Sequence, residues 1–281
     1  MDSFVFAAVL FAAACHAGWN ATIKRTLDPL ATTVLISIGA ALVSLIAVPF
    51  VGLPNAAAWP WVIASVVIHL LYFAALIESY RTGDMGQVYP IARGTAPLLT
   101  GLASPIVVGE RVGVLAWTGI LLLASGVFLL SLRGGRDLAK LERRAVTYAL
   151  LTSLTICAYS LVDGIGARSS GSANAYSVAL FVGIAPMMVL YALVRSGSGV
   201  LTDMARYWQT GILGGALQLG SYGIAIWAMT LAPIAIVAAL RETSVLFGAL
   251  IAVVFLSEPL RATRVVAALM IVAGLVSIRL Q

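Results

Sequence analysis

Charge is scarce in this chain. Asp, Glu, Lys and Arg make up 10% of its 281 residues, where soluble domains carry about 25%. Such a chain belongs in a bilayer. Cysteine is nearly absent too. Cys15 and Cys157 both fall in apolar runs, so no disulfide framework is expected, and both read as small buried hydrophobes. There is no H-E-x-x-H pair, no G-x-S-x-G elbow and no P-loop. An enzyme, a metal centre and a bound cofactor are therefore not expected. Without an ATP-binding domain or any sign of an ATPase subunit, any pumping must run on gradients. The net charge of +6 does not point to nucleic acid, because the basic residues are scattered over connections and ends. Met1-Asp2-Ser3 lacks the basic start of a secretory signal, so the first apolar run reads as a retained helix.

What the chain does have is apolar length: 61% hydrophobic residues and a mean hydropathy of +1.04. The class expected is an all-α membrane protein with ten transmembrane helices of about 20 residues each. Spans are predicted over 4–23, 32–51, 59–77, 87–110, 112–132, 146–165, 176–194, 207–231, 233–257 and 262–280. Glu78 to Gly86 and the loop 168–172 read as polar turns. Arg133 to Arg144 reads as a basic connector near the midpoint.

The fourth span is unusual. It carries Pro90, Pro97 and Pro105, with Gly94 and Gly101 between them, and a full charge, Arg93, well inside. Proline removes a helical hydrogen bond, and a charge at membrane depth is costly unless it serves a site. A break or hinge is expected there, and a pseudo-symmetric one at Gly248 in the ninth span. The span also has a mate. Shifting the chain by 148 residues lays 91–130 on 239–278, matching Arg93 with Arg241, Thr95 with Thr243, Glu110 with Glu258 and Gly126 with Gly274. The expected organisation is a five-helix repeat (1–132), a connector (133–145) and a second five-helix repeat (146–281). Five spans per repeat force the halves to insert in opposite senses, giving two inverted repeats. The odd-numbered connections hold twelve Lys and Arg, the even ones and the ends three. The odd connections are thus expected in the cytoplasm and both termini outside.

The candidate substrate-binding set follows from polar and aromatic groups at depth. It comprises His16, Trp19, Asn20, His69, Tyr72, Tyr89, Arg93, Tyr159, Gln218, Tyr222, Trp227, Arg241 and Glu242. An aromatic-lined cavity suits an amphipathic solute with an apolar side chain. Arg241 and Glu242 are neighbours and point about 100° apart on a helix. Glu242 is better placed to meet Arg93 across the repeat axis. That leaves Arg241 for a substrate carboxylate, which its fork of donors matches. Asp163, near a helix end, reads as a local ion-pair partner, and Glu78 and Asp84 as solvated edge charges.

Two five-span halves, the turn Gly109-Glu110-Arg111, its echo Ser257-Glu258-Pro259-Leu260 and the phrase Tyr89-Pro90-Ile91-Ala92-Arg93-Gly94 resemble the EamA branch of the drug/metabolite transporter superfamily. Within it the chain looks closest to YddG-type amino-acid exporters. Two departures stand out: Gly18-Trp19 reverses the usual Trp-Gly order, and the connection after the second span lacks Lys and Arg. The resemblance implies a central cavity between inverted halves. It also implies export of small amphipathic metabolites, amino acids above all, across the inner (plasma) membrane. The alternatives are a multidrug or nucleotide-sugar-like carrier of the same fold and, more remotely, a membrane-embedded enzyme.

Overall fold

The computed structural model describes residues 1–23, 28–83, 85–131, 142–256 and 262–280. The Lys24-Arg25 turn, Asp84, the connector over 132–141 and the turn 257–261 with Glu258 lie outside the described residues. All regular structure among the described residues is helical. In chain order the helices are α1 (Ser3–Ile23), α2 (Pro29–Val51), α3 (Trp59–Thr82), α4 (Met85–Val107), α5 (Val114–Ser131) and α6 (Arg143–Ser169). They continue as α7 (Ala173–Ser196), α8 (Gly199–Ala205), α9 (Trp208–Leu231), α10 (Ile234–Arg241), α11 (Ser244–Leu256) and α12 (Ala262–Arg279). Among the described residues, seven stretches are long and apolar enough to cross a membrane: Pro29–Val51, Ala56–Thr82, Arg143–Ser169, Ala173–Ser196, Trp208–Leu231, Ile234–Ile251 and Ala262–Arg279. Ser3–Gly18 and Val114–Leu130 are apolar but shorter.

Local chemistry sets several ends. The Asp28 carboxylate accepts from the Leu30 amide at 3.1 Å, and Pro29 occupies the first turn, where its missing N–H costs nothing. The Ser172 hydroxyl accepts from the Ala175 amide and starts α7. α2 stops at Gly52 (φ 76°), a conformation that glycine takes without a side-chain clash. Three expected boundaries move. α3 runs on to Thr82, so Glu78 and Arg81 are helical and form an ion pair. α6 takes in Arg143 and Arg144 at its start and Arg168 at its end. The polar stretch before α9 holds the short helix α8.

The expected break in the fourth span is absent, and the one in the ninth lies elsewhere. α4 runs unbroken through Pro90, Pro97 and Pro105. Its glycines act as seats: a Cβ on Gly94 would come within 3.0 Å of the Phe128 ring, and one on Gly101 within 2.9 Å of Trp117, both from α5. Packing against α5 thus holds the helix across its prolines. The ninth span divides at Glu242–Thr243, between α10 and α11, and not at Gly248. There Glu242 and Thr243 amides reach back only three residues, and the Thr243 hydroxyl bonds the Leu240 carbonyl at 2.7 Å.

Small residues bring backbones together. A Cβ on Gly39 of α2 would lie 2.0 Å from the Gly211 carbonyl oxygen of α9, and one on Gly215 would lie 2.1 Å from the Ala40 amide nitrogen. Gly211 and Gly215, four residues apart, form the close-approach face familiar in membrane helices. α5 crosses α12 in the same manner. A Cβ on Gly119 would meet the Gly274 carbonyl oxygen at 2.7 Å, and one on Gly126 would meet that of Ala267 at 2.9 Å.

The helix ends gather on two faces. On one, the Asn55 amide bonds the Ser170 carbonyl, Glu110 pairs with Arg168, and Arg279 reaches the Met1 carbonyl. On the other, Glu78 pairs with Arg195 at 2.7 Å. The even connections and both termini therefore share a face, and the ends of α3 and α7 lie on the opposite one.

Candidate functional site

The cavity lies where α1, α3, α6, α7, α9 and α10 meet. It is lined by His16, His69, Tyr72, Phe73, Tyr159, Phe181, Gln218, Tyr222 and Arg241. Its volume is about 30 Å³, room for roughly two or three waters.

Aromatic rings form most of its wall. His69 stacks on Tyr159 with centroids 4.3 Å apart and meets Tyr222 edge-on at 5.6 Å. Tyr72 and Tyr222 each stand edge-on to Tyr159, at 5.5 and 5.6 Å. His69 Nδ1 lies 2.9 Å from the Ser65 carbonyl oxygen, an acceptor only. In the neutral ring Nδ1 therefore holds the proton and Nε2 is an acceptor.

The break between α10 and α11 places the charges. Arg93 is 2% exposed and Glu242 3%, and Arg93 Nε sits 2.7 Å from Glu242 Oε2. The contact has the distance of an ion pair but not the alignment of a hydrogen bond. Arg93 Nη2 also donates to the Ser244 hydroxyl at 3.3 Å, and its guanidinium faces the Tyr89 ring at 5.9 Å. The Ser153 hydroxyl donates to the Ala92 carbonyl at 3.0 Å and ties α6 to α4 beside this pair. Arg241 differs. It ends α10, lies 4.5 Å over the Tyr222 ring, and makes no ion pair among the described residues.

Tyr222 is held from behind. Its hydroxyl donates to one oxygen of Asp163, and the Tyr176 hydroxyl donates to the other at 2.9 Å. Asp163 is fully buried. The local ion pair expected for it is not present among the described residues, and two phenols from other helices satisfy it instead.

Seven of the candidates thus come together in one lining: His16, His69, Tyr72, Tyr159, Gln218, Tyr222 and Arg241. Tyr89, Arg93 and Glu242 adjoin one another beside it. Trp227 is elsewhere, edge-on to Phe4 at 6.0 Å, and Phe4 is 73% exposed. The side chains of Trp19 and Asn20 lie outside the described part of α1. Phe73 and Phe181 were not singled out from the sequence, because a phenylalanine in an apolar helix looks the same facing lipid or cavity.

On the face of the even connections, Glu110 and Arg168 tie together the ends of α4, α6 and α9 and the start of α10. One oxygen pairs with Arg168. The other accepts from the Ile234 amide at 2.8 Å, the start of α10, and from the Ser104 hydroxyl at 3.1 Å. A carboxylate there is favoured by the positive end of the helix. Arg168 also donates to the Met229 and Ala232 carbonyls, at 2.9 and 3.2 Å.

Residues 3–132 match the model of the EamA-like transporter family. A solved crystal structure is similar over 99% of this chain and 96% of its own, with a TM-score of 0.74 and 16% sequence identity. At that identity the likeness is one of fold. No curated protein matches the chain. With its many apolar helices, the chain is a multi-pass integral membrane protein. The family match spans α1 to α5 and covers somewhat less than half of the chain.

Proposed function

We propose that the protein is a secondary transporter that exports small amphipathic metabolites, amino acids with aromatic or hydrophobic side chains foremost, by alternating access through this cavity. The observation that carries the reading is Arg241. A guanidinium buried among aromatic rings, with its neighbour Glu242 committed to Arg93, calls for an anion from outside the chain. A carboxylate supplies two acceptors in the matching plane, and the surrounding rings suit an apolar side chain. A cavity of about 30 Å³ is too small for an amino acid, so uptake requires the helices to part.

The proposed architecture is ten crossings in two inverted five-helix repeats, 1–132 and 146–281. α10 and α11 together make the ninth crossing. The α5–α12 contact supports it. The offset of 148 maps the Gly119–Gly274 contact onto Ala267–Gly126, and both contacts are made. The charge bias supports an inner (plasma) membrane orientation with the 133–145 connector in the cytoplasm and both termini outside.

The test is counterflow in liposomes reconstituted with the purified chain, using labelled phenylalanine, leucine and a panel of other amino acids. Exchange of aromatic or branched amino acids, reduced in Arg241→Lys, is expected. Exchange of drugs or nucleotide sugars with none of amino acids would overturn the substrate assignment.

A further inference from the structure

We propose that Gln218 reads the ammonium end of an amino-acid substrate. The inference rests on the reading above, in which Arg241 takes the carboxylate. Gln218 lies on α9, one turn before Tyr222, and lines the same cavity as Arg241. Its Oε1 is shut off from solvent and no donor reaches it among the described residues. A buried amide oxygen left unpaired is costly and is rare in folded proteins. An apolar residue of the same size would serve packing better, so the oxygen is explained by a donor that arrives with the substrate.

The two carboxylates nearest the cavity cannot play this part. Both oxygens of Asp163 are taken by the Tyr176 and Tyr222 hydroxyls, and Glu242 is committed to Arg93. Gln218 instead offers a neutral acceptor. A zwitterion set between Arg241 and Gln218 has its carboxylate on the guanidinium, its ammonium on the amide oxygen, and its side chain among Tyr72, Phe73, Tyr159 and Phe181. A neutral amide also suits a carrier that must release its load. An ammonium locked to a carboxylate in this buried site would leave slowly, whereas one held by an amide leaves readily. A hydrogen bond from a charged donor discriminates by about 10- to 100-fold against an analogue that lacks it.

The experiment is competition in counterflow with the full chain in liposomes. The probes are labelled L-phenylalanine and L-leucine, and the competitors are the same amino acids and their des-amino analogues, hydrocinnamate and isocaproate. The wild type is expected to prefer the amino acid by about 10-fold or more. In Gln218→Leu the amino acid should weaken while the des-amino acid holds or improves, so the ratio collapses towards one. Gln218→Glu, which restores an acceptor, should keep the ratio or widen it. An unchanged ratio in Gln218→Leu overturns the proposal while leaving the amino-acid reading intact. A wild type that exchanges no amino acid overturns both. Where Gln218→Leu does not yield a monodisperse protein, Gln218→Met and Gln218→Glu carry the test, and equal ratios in those two overturn the proposal.

Discussion

The Arg93–Glu242 pair sets a sharp energetic test, because the two ways of breaking it are not equivalent. Both side chains are nearly sealed, at 3% and 4% exposure, and their charges are 2.7 Å apart. Removing one partner of such a pair costs about 3–5 kcal/mol, because the other charge is left buried without its counterion. In Glu242→Gln the site keeps two guanidiniums, Arg93 and Arg241, and loses the one adjoining carboxylate among the described residues that is free of the phenol pair. What remains for Arg93 is one long hydrogen bond to Ser244 and the face of Tyr89 at 5.9 Å. The full 3–5 kcal/mol is expected, roughly 150-fold or more in the unfolding equilibrium. In Arg93→Met the stranded carboxylate has Arg241 as its chain neighbour. Arg241 can turn from the Tyr222 ring to Glu242, so the stability loss should fall at or below about 3 kcal/mol. Transport should nevertheless fail, because the arginine proposed to bind the substrate carboxylate is now occupied. The double variant Arg93→Met/Glu242→Gln should regain about 1–3 kcal/mol relative to the sum of the single changes. The assay is reversible unfolding in mixed micelles, followed by tryptophan fluorescence, beside counterflow in liposomes. Additive losses in the double variant, or an Arg93→Met protein that still exchanges amino acids, would refute the reasoning.

Further outcomes are expected at other sites. Arg241→Lys should fold normally, with melting within a few degrees of the parent, yet lose most counterflow because a single ammonium cannot reproduce the planar fork. Gly39→Ala puts a methyl 2.0 Å from the Gly211 carbonyl oxygen, so α2 and α9 must separate. A loss of 1–3 kcal/mol or more should appear in the same unfolding assay, whereas Gly248→Ala, with open space around it, should be neutral or slightly stabilising. Tyr222→Phe removes one of the two phenols from Asp163 and should cost about 1–3 kcal/mol, with Tyr176→Phe similar. For topology, a cysteine at exposed Ala57 should react with an impermeant maleimide in intact cells, and one at exposed Ser196 only after permeabilisation. The reverse pattern would invert the orientation.

How much could be read from the sequence depended on where the partners lay. Apolar length gives helices, and the helices are there. The pairing of Arg93 with Glu242, 149 residues apart, could be reasoned because the repeat supplied a long-range constraint. Asp163 had no such guide. Its partners Tyr176 and Tyr222 come from α7 and α9, and no periodicity links a carboxylate to phenols on other helices. The break in the ninth span was sought at Gly248, where flexibility is intrinsic. It falls at Glu242–Thr243, where a committed charge and a hydroxyl bond to the backbone compete with the helix. The prolines of α4 misled in the opposite direction. Their cost is real in water, but α5 rings seated on Gly94 and Gly101 brace the helix from its side, and side contacts are invisible along a single segment.

The Glu110 cluster has a kinetic consequence for the proposed transport cycle. Glu110 lies in the first half of the chain, and Arg168, Met229, Ala232 and Ile234 in the second. Glu110 holds both contacts between the halves, one on each carboxylate oxygen, while Arg168 and its two carbonyls stay together in the second half. A motion that parts the halves on this face must give up the ion pair and the Ile234 amide together. An arrangement that breaks only one of the two leaves a half-buried carboxylate short of a partner, so it is sparsely populated. Under the proposed alternating access, passage on this side works as a toggle between two packed forms, and its frequency is set by how often a single carboxylate lets go.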